Sequence, residues 1–198
     1  MYNDYKAGKT NEHNTSVMEY CLIEGREIKT VPMSLLVQLG SIVDFNVPMM
    51  ETVFEKIGTP YKYEDFAQRL ELAKYWLYQC APESANKLRD YRDFDLYNTF
   101  SEEEKKEIAL LYDYIAAGEY DLDSLNTKLY DIPKEVFGYD VENLKQIQGQ
   151  FFKNVYKLLI SKERGPRLYL FLYAIDRERF MHLLDFSHPQ TEEELAII

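Results

Sequence analysis

Apolar residues recur every three or four positions along most of the chain, which is the spacing of one face of an α-helix. The first such stripe contains Leu35, Leu39 and Ile42, and it follows Val31-Pro32, where a proline suits the first helical turn. On the same grounds we predict helices over residues 48–57, 63–81, 101–117, 122–129, 140–160, 168–175 and 177–184. The hydrophobic pattern therefore predicts an all-α fold.

Short-range signals mark where several of these helices begin and end. Ser101 and Glu104 have the spacing of a capping box, and Gly118 is placed to end the helix that they begin. Gly58 is placed to end the helix opened by Pro48 in the same way. A proline cannot continue the backbone hydrogen-bond ladder, so Pro133 is expected to stop the preceding helix.

The helix over residues 63–81 carries the only tryptophan of the chain. One stripe contains Phe66, Leu70, Ala73, then Trp76 or Leu77, and Cys80. A shared helical stripe of apolar residues normally faces the core. We therefore expect Trp76 to be largely buried.

The chain divides by pattern into two domains. Residues 1–30 are polar and lack a sustained period, which predicts an extended lead-in with room for a short helix at its start. Residues 91–100 also lack a period and form the best candidate for a connector. We predict a lead-in and helical bundle over residues 1–95 and a second helical domain over residues 96–198. The second domain ends in a polar, solvated tail from residue 187.

Composition excludes several classes of protein. Hydrophobic residues make up 46% of the chain, enough to form a core and too many for a disordered segment. Cys21 and Cys80 form no spaced pair with each other or with histidine, which argues against a disulfide scaffold or a zinc site. No apolar run approaches the roughly 20 residues of a membrane span, and the first twenty residues lack a signal peptide. We expect a cytoplasmic protein that does not bind membranes.

The charge is unevenly distributed. The net charge is −11, yet residues 145–182 contain eight lysines and arginines against three acidic residues. A basic segment in an acidic body draws a polyanion to one place and repels it elsewhere. The alternative is a pair of helices with a few surplus surface lysines.

The sequence offers no catalytic centre. It has no glycine-rich phosphate loop, its three histidines lie in separate segments, and no group of side chains has the spacing of metal ligands. The acidic runs 102–104 and 192–194 fit a helix N-terminus and a solvated tail, respectively. We predict neither catalytic nor metal-binding residues.

The basic segment carries the one group of residues suited to a ligand. On the predicted 140–160 helix, Gln146, Gln150, Lys153 and Lys157 share one face opposite the apolar stripe. Amides can read base edges, and arginines bind phosphates or stack on bases, so the group suits a single-stranded RNA loop. The candidate RNA-binding residues are Gln150, Lys153, Lys157, Lys162, Arg164, Arg167, Arg177 and Arg179. A plain solvated helix face would carry a similar pattern.

Two segments resemble class I lysyl-tRNA synthetases. The first segment resembles the C-terminal end of that family. It contains Phe151-Phe152 and Tyr156, then Lys-Glu-Arg-Gly-Pro-Arg at 162–167, and finally Asp176-Arg177. The second, Val-Pro-Met-Ser-Leu-Leu at 31–36, resembles the segment that follows the family's catalytic core. The resemblance spans roughly residues 18–186 and departs from the family pattern at Ser161 and Tyr169, where glycine is usual.

The resemblance implies a fold, a partner and a missing activity. It implies a helical bundle leading into an α-helix cage that holds the anticodon loop of the lysine tRNA. The family's two nucleotide-binding motifs, an H-I-G-H-like motif and a K-M-S-K-S-like loop, are absent from this sequence. ATP and Mg²⁺ are therefore implied only for a catalytic domain outside this chain, in cis if the chain is part of a longer enzyme. The chain alone is expected to be inactive.

These observations define one main hypothesis and an alternative. The chain is interpreted as a tRNA anticodon-binding region in which Arg164 and Arg167 contact RNA, while Gly165 and Pro166 shape the turn. Structural roles remain open for both arginines. The alternative function is an acidic helical protein-interaction module, or a free-standing RNA-binding homologue.

Overall fold

The computed structural model describes residues 2–21, 31–59, 61–174 and 177–196, and every regular element in these ranges is helical. The predicted all-α class is confirmed. The α-helices are α1 (Tyr2–Lys6), α2 (Glu12–Cys21), α3 (Met33–Gly40), α4 (Val47–Lys56), α5 (Tyr63–Tyr75), α6 (Phe94–Asn98), α7 (Glu102–Ala117), α8 (Leu122–Phe137), α9 (Leu144–Ile160), α10 (Leu168–Ala174), α11 (Arg177–Leu184) and α12 (Glu192–Leu195). A π-helix (Trp76–Cys80) and a 3₁₀ turn (Pro82–Ser84) follow α5.

The chain forms two compact units, residues 1–30 and 31–198. The first unit is more regular than the extended lead-in expected from its sequence, because it contains α1 and α2. Asn11 explains the start of α2, since its side chain accepts a hydrogen bond of 2.8 Å from the backbone N–H of Asn14. The domain boundary at residue 95 stays a prediction.

Two clusters of buried side chains form the core of the second unit. Helices α3, α4 and α5 enclose the first cluster, which contains Leu36, Phe54, Phe66 and Leu70. Helix α9 supplies the centre of the second, where Phe151 and other apolar side chains meet those of α7, α8, α10 and α11. Both clusters are built from the apolar stripes that predicted the helices.

Helix ends mostly follow the local signals. Ser101 and Glu104 form the predicted capping box, with their reciprocal bonds at 3.2 and 2.9 Å. Gly118 ends α7 with φ 74°, a left-handed conformation that glycine adopts without the steric cost of a Cβ. Helix α9 begins at Leu144, slightly later than the expected start near Asp140.

Pro133 does not stop a helix, so that prediction was wrong. Helix α8 continues through Pro133 to Phe137, and the proline ring is buried. Pro133 has no N–H for the carbonyl of Leu129, and in the same turn Gln148 of α9 donates to the carbonyl of Tyr130 at 2.8 Å. Helix α8 is thus attached to α9 at the turn that contains the proline.

Trp76 is not buried, which also contradicts the sequence prediction. Its side chain is 44% exposed, whereas the next residue, Leu77, is fully buried. Phe66, Leu70, Ala73 and Leu77 are all buried, and their spacing of four, three and four residues is that of an ordinary α-helical stripe, so Leu77 rather than Trp76 faces the core. The π-helix begins at Trp76, where the N–H of Ala81 bonds to the carbonyl of Trp76 at 3.1 Å.

The expected solvated tail is also tied to the fold. Arg92 and Glu194 are both buried, and they form a bidentate ion pair with bonds of 2.8 and 2.6 Å. The same guanidinium donates to the carbonyls of Asp185, His188 and Pro189. Hydrogen bonding by the Arg92 guanidinium lowers the pKa of Glu194 to about 2. Glu194 is therefore an internal contact residue rather than part of a solvated run.

Candidate nucleic-acid interface

The basic turn, residues 161–167, joins α9 to α10 and has a defined backbone. Ser161 ends α9 in the left-handed region with φ 59°. Burial raises the pKa of Tyr156 to about 12, and its hydroxyl donates to the carbonyl of Pro166, which is buried. A Cβ at position 165 would lie 2.8 Å from a ring carbon of Tyr156, so Gly165 allows the turn to close on the tyrosine.

Lys162 holds the turn against the segment that precedes α6. Its ammonium donates to the carbonyl of Glu83 at 2.7 Å and to that of Ala85. Burial of this group lowers the pKa of Lys162. The ammonium is thus already hydrogen-bonded within the protein.

The lysines of α9 share one carboxylate of the turn. Lys157 lies 2.9 Å and Lys153 3.7 Å from the carboxylate oxygens of Glu163. Hydrogen bonding by Lys157 lowers the pKa of Glu163. Two cations and one anion leave this part of the predicted face with a net positive charge.

Gln150 takes part in a side-chain network that links α9 to α7. Its amide donates to Asn154 at 2.9 Å, and the amide of Asn154 donates to Glu104 at 2.9 Å. Asn154 is buried, whereas Gln150 is exposed.

The two arginines of α11 contact neighbouring helices and loops. Arg177 donates to the carbonyl of Ala116 near the C-terminus of α7, and a Cβ at Gly118 would lie 2.6 Å from its guanidinium. Arg179 lies 3.7 Å from Asp90, and both side chains are mostly exposed. A cation at the C-terminus of α7 is favourable because helix carbonyls point towards it.

Arg164 and Arg167 differ from the other candidate residues. Both side chains are exposed. Within the described ranges, Arg164 has no hydrogen bond or ion pair, and Arg167 has one hydrogen bond, to the hydroxyl of Tyr169 at 3.3 Å. Their guanidinium groups keep most of their donors available for a ligand.

Each of these two arginines lines a different cavity. The Arg167 cavity has a volume of about 420 Å³, and its walls come from α8, α9 and the start of α10. Its lining residues are Asn126, Leu129, Tyr130, Phe152, Tyr156, Arg167, Leu168 and Tyr169. Tyr130 and Phe152 meet edge to face with ring centres 5.1 Å apart. The cavity therefore combines aromatic rings, one amide and one cation.

The Arg164 groove has a volume of about 780 Å³ and lies between α3, the end of α5, the π-helix and the basic turn. Its walls are mainly apolar and include Leu72, Tyr75, Trp76 and Cys80. This groove was not predicted from the sequence, because Trp76 was expected in the core. The α-helical spacing of Phe66, Leu70, Ala73 and Leu77 is the signal that could have placed Trp76 outside the core.

The described residues offer no metal site and no bilayer-crossing helix. No group of three or more histidine, cysteine, aspartate or glutamate side chains in these ranges is placed to hold a metal ion. In the same ranges, no helix has both the length and the apolar character needed to cross a membrane.

The chain is similar in sequence to curated lysine–tRNA ligases. One from Streptomyces coelicolor is 28% identical over 125 residues, 59% of this chain and 21% of that protein. One from Archaeoglobus fulgidus is 25% identical over 173 residues, 86% of this chain and 32% of that protein. One from Borrelia garinii subsp. bavariensis is 34% identical over 110 residues, 53% of this chain and 19% of that protein.

The similarity supports a relationship to the lysyl-tRNA synthetases. No family model matches the chain. The chain spans about a fifth to a third of the length of the curated relatives it matches.

Proposed function

We propose that this chain is a tRNA-binding region similar to the C-terminal part of class I lysyl-tRNA synthetases, and that it binds the anticodon loop of the lysine tRNA. The Arg167 cavity is the observation that carries the proposal. In this proposal a catalytic domain outside the chain ligates lysine to the tRNA.

The walls of the Arg167 cavity suit an unstacked base. Tyr130, 45% exposed, and the partly buried Tyr169 present ring surface on which a base can stack. Arg167 can contact a phosphate or stack on the base, and the amide of Asn126 can read a base edge. The lining residues include one cation and no carboxylate, which favours an anionic ligand.

The surrounding charges favour the same ligand. Lys153 and Lys157 leave a positive charge beside the basic turn after pairing with Glu163. The net charge of −11 opposes RNA elsewhere on the surface. RNA should therefore bind at one place and with a strong dependence on salt.

Binding of an anticodon stem–loop tests the proposal. We expect the full chain to bind a labelled stem–loop with a U-rich anticodon more tightly than one with an unrelated anticodon, measured by fluorescence anisotropy. Tyr130→Ala should weaken binding by about 5- to 100-fold, the usual contribution of one stacked base. Arg167→Ala should weaken binding and reduce the preference for the U-rich loop.

The matched control is Lys105→Ala, which removes one cation that lines neither cavity. It should leave the preference between the two loops unchanged, and circular dichroism should show the same helix content in all variants. Equal affinity of the parent and Arg167→Ala for the U-rich loop would contradict the cavity assignment. Absence of RNA binding, with capture of a protein partner, would favour the interaction-module alternative.

A further inference from the structure

We infer that the Arg164 groove is a second nucleotide-binding site, which takes another unstacked nucleotide of the same RNA with its base against Trp76 and its phosphate on Arg164. The inference rests on the proposed function, because it extends the path of the RNA across the basic turn to a site on the other side.

The groove exposes an unusual amount of apolar and aromatic surface. Tyr75 is 67% exposed, Leu72 55% and Trp76 44%, and all three line the groove. Trp76 is the first residue of the π-helix, and it lies at the surface while its neighbour Leu77 is in the core. π-Helical turns are uncommon and are often found at functional sites. Exposed rings of this kind are the usual platform for unpaired bases.

The charges of the groove match a phosphate. Lys162 and Arg164 are its two charged lining residues within the described ranges, and no carboxylate lines it. The ammonium of Lys162 already donates to the carbonyls of Glu83 and Ala85. Arg164 has no such partner, so its guanidinium is the cation available to a ligand. In a chain with net charge −11, a groove whose charged lining residues are both cations attracts anions selectively.

The position of the groove relates it to the Arg167 cavity. Arg164 and Arg167 are three residues apart, so their backbone positions lie within about 11 Å of each other. Gly165 also lines the groove, and its missing side chain lets the turn close on Tyr156. The buried Pro166 carbonyl, held by Tyr156, fixes the turn between the two cavities. One RNA strand can therefore place nucleotides on both sides of the turn.

These features favour a nucleotide over a peptide. The groove is formed by helices and the basic turn, and the described part of the chain contains no strand, so the groove offers no strand edge to a peptide backbone. A flat base needs only ring faces and one or two polar groups, while its phosphate needs one guanidinium. The Arg164 groove supplies both.

Trp76 is the only tryptophan, so its fluorescence reports on this groove alone. The full chain should be titrated with the stem–loop that has a U-rich anticodon, with anisotropy of labelled RNA and Trp76 emission followed in parallel. We expect the RNA to quench Trp76 and protect it from acrylamide, with the same midpoint as the anisotropy change. Trp76→Leu and Arg164→Ala should each weaken binding by about tenfold, whereas Trp76→Phe should retain most of the affinity because it keeps a ring.

The outcomes separate this inference from the proposed function. If anisotropy reports binding while Trp76 emission and acrylamide quenching stay unchanged, and Trp76→Leu binds like the parent, the groove is not a nucleotide site and the proposed function stands. If no RNA binds, both the inference and the proposed function fail.

If Trp76 emission changes with protein concentration in the absence of RNA, a second copy of the chain occupies the groove and the inference is wrong. Arg167→Ala should weaken binding but retain quenching at saturation, which tests that the two sites are distinct.

Discussion

Arg92 has all of its guanidinium nitrogens hydrogen-bonded inside the protein, whereas Arg164 has no hydrogen bond or ion pair within the described ranges. Arg92 is buried between two chain segments, and Arg164 is exposed at the edge of a groove. A buried guanidinium with all donors satisfied stabilises the fold and has no capacity left for a ligand. An exposed one without partners contributes little to stability and keeps its capacity for binding.

The comparison extends to the other cations near α9. Lys162 resembles Arg92 in that it joins two segments through backbone carbonyls. Lys153 and Lys157 are intermediate, because they are partly buried and share Glu163. The positive charge counted along the sequence is thus divided between structural contacts and groups that remain available to a ligand.

The largest expected effect comes from breaking the Arg92 contact. Arg92→Ala leaves the buried carboxylate of Glu194 without its cation, with only the backbone N–H groups of residues 92 and 191 as donors, and we expect it to lower the free energy of unfolding by about 3–5 kcal/mol in urea denaturation. Arg164→Ala should unfold like the parent. Replacing both Arg92 and Glu194 by methionine should cost less than Arg92→Ala, because no unpaired charge remains. Equal stability of Arg92→Ala and Arg164→Ala would show that burial does not distinguish the two arginines.

The same contact predicts a dependence on acid. The pKa of Glu194 is about 2 in the folded protein and near 4.5 in an unfolded chain. The stabilisation is fully present above pH 4.5, and it is lost as the pH falls towards 2 and the folded carboxylate is protonated. Unfolding followed by circular dichroism should show this loss in the parent, and the double methionine variant should lack that part of it.

A second buried carboxyl group, that of Glu107, tests whether partners matter more than burial. Glu107 of α7 is 1% exposed, and its Oε1 has no hydrogen-bond partner among the described residues. Burial, with a smaller contribution from Glu104, raises the pKa of Glu107 to about 8. The folded state therefore binds a proton more strongly than the unfolded chain, and stability falls as the pH rises from about 4.5 to 8.

Glu107→Gln should remove this loss. One pKa unit corresponds to about 1.4 kcal/mol, so the variant should exceed the parent by a few kcal/mol at pH 9 and differ much less at pH 5. Thermal unfolding at the two pH values measures the difference. A variant that loses stability equally at both pH values would show that the carboxylate has a partner that glutamine cannot replace.

The smallest expected effect is a change in RNA affinity caused by a substitution in the basic turn. Glu163→Gln releases Lys153 and Lys157 from their shared carboxylate, so both become free to contact phosphate. We expect a modest gain in affinity for the anticodon stem–loop, and a salt dependence steeper by up to about one unit in log–log slope. An unchanged slope in the anisotropy assay would indicate that neither lysine lies on the path of the RNA.

Local interactions explain what could be predicted from the sequence. The apolar stripes predicted the helices of both cores, and Ser101, Glu104 and Gly118 defined the ends of α7, because each signal acts within a few residues. Two predictions were wrong, at Pro133 and at Trp76. Helix α8 continues through Pro133, which is buried, so packing outweighs a local preference there. At the tryptophan two adjacent side chains both fit the end of the apolar stripe, and packing places Leu77 rather than Trp76 in the core.

The sequence by itself determined the helical class, most helix limits and the position of the basic turn, since spacing and capping are properties of neighbouring residues. Only the tertiary structure decided which lysines and arginines of the chain remain available to a ligand. Arg92 meets Glu194 across 102 positions, and Lys162 meets Glu83 and Ala85 across 79 and 77. Arg164 and Arg167 stand three residues apart yet line different cavities. Contacts between segments so distant in the chain depend on how whole helices pack, and no local pattern of residues specifies them.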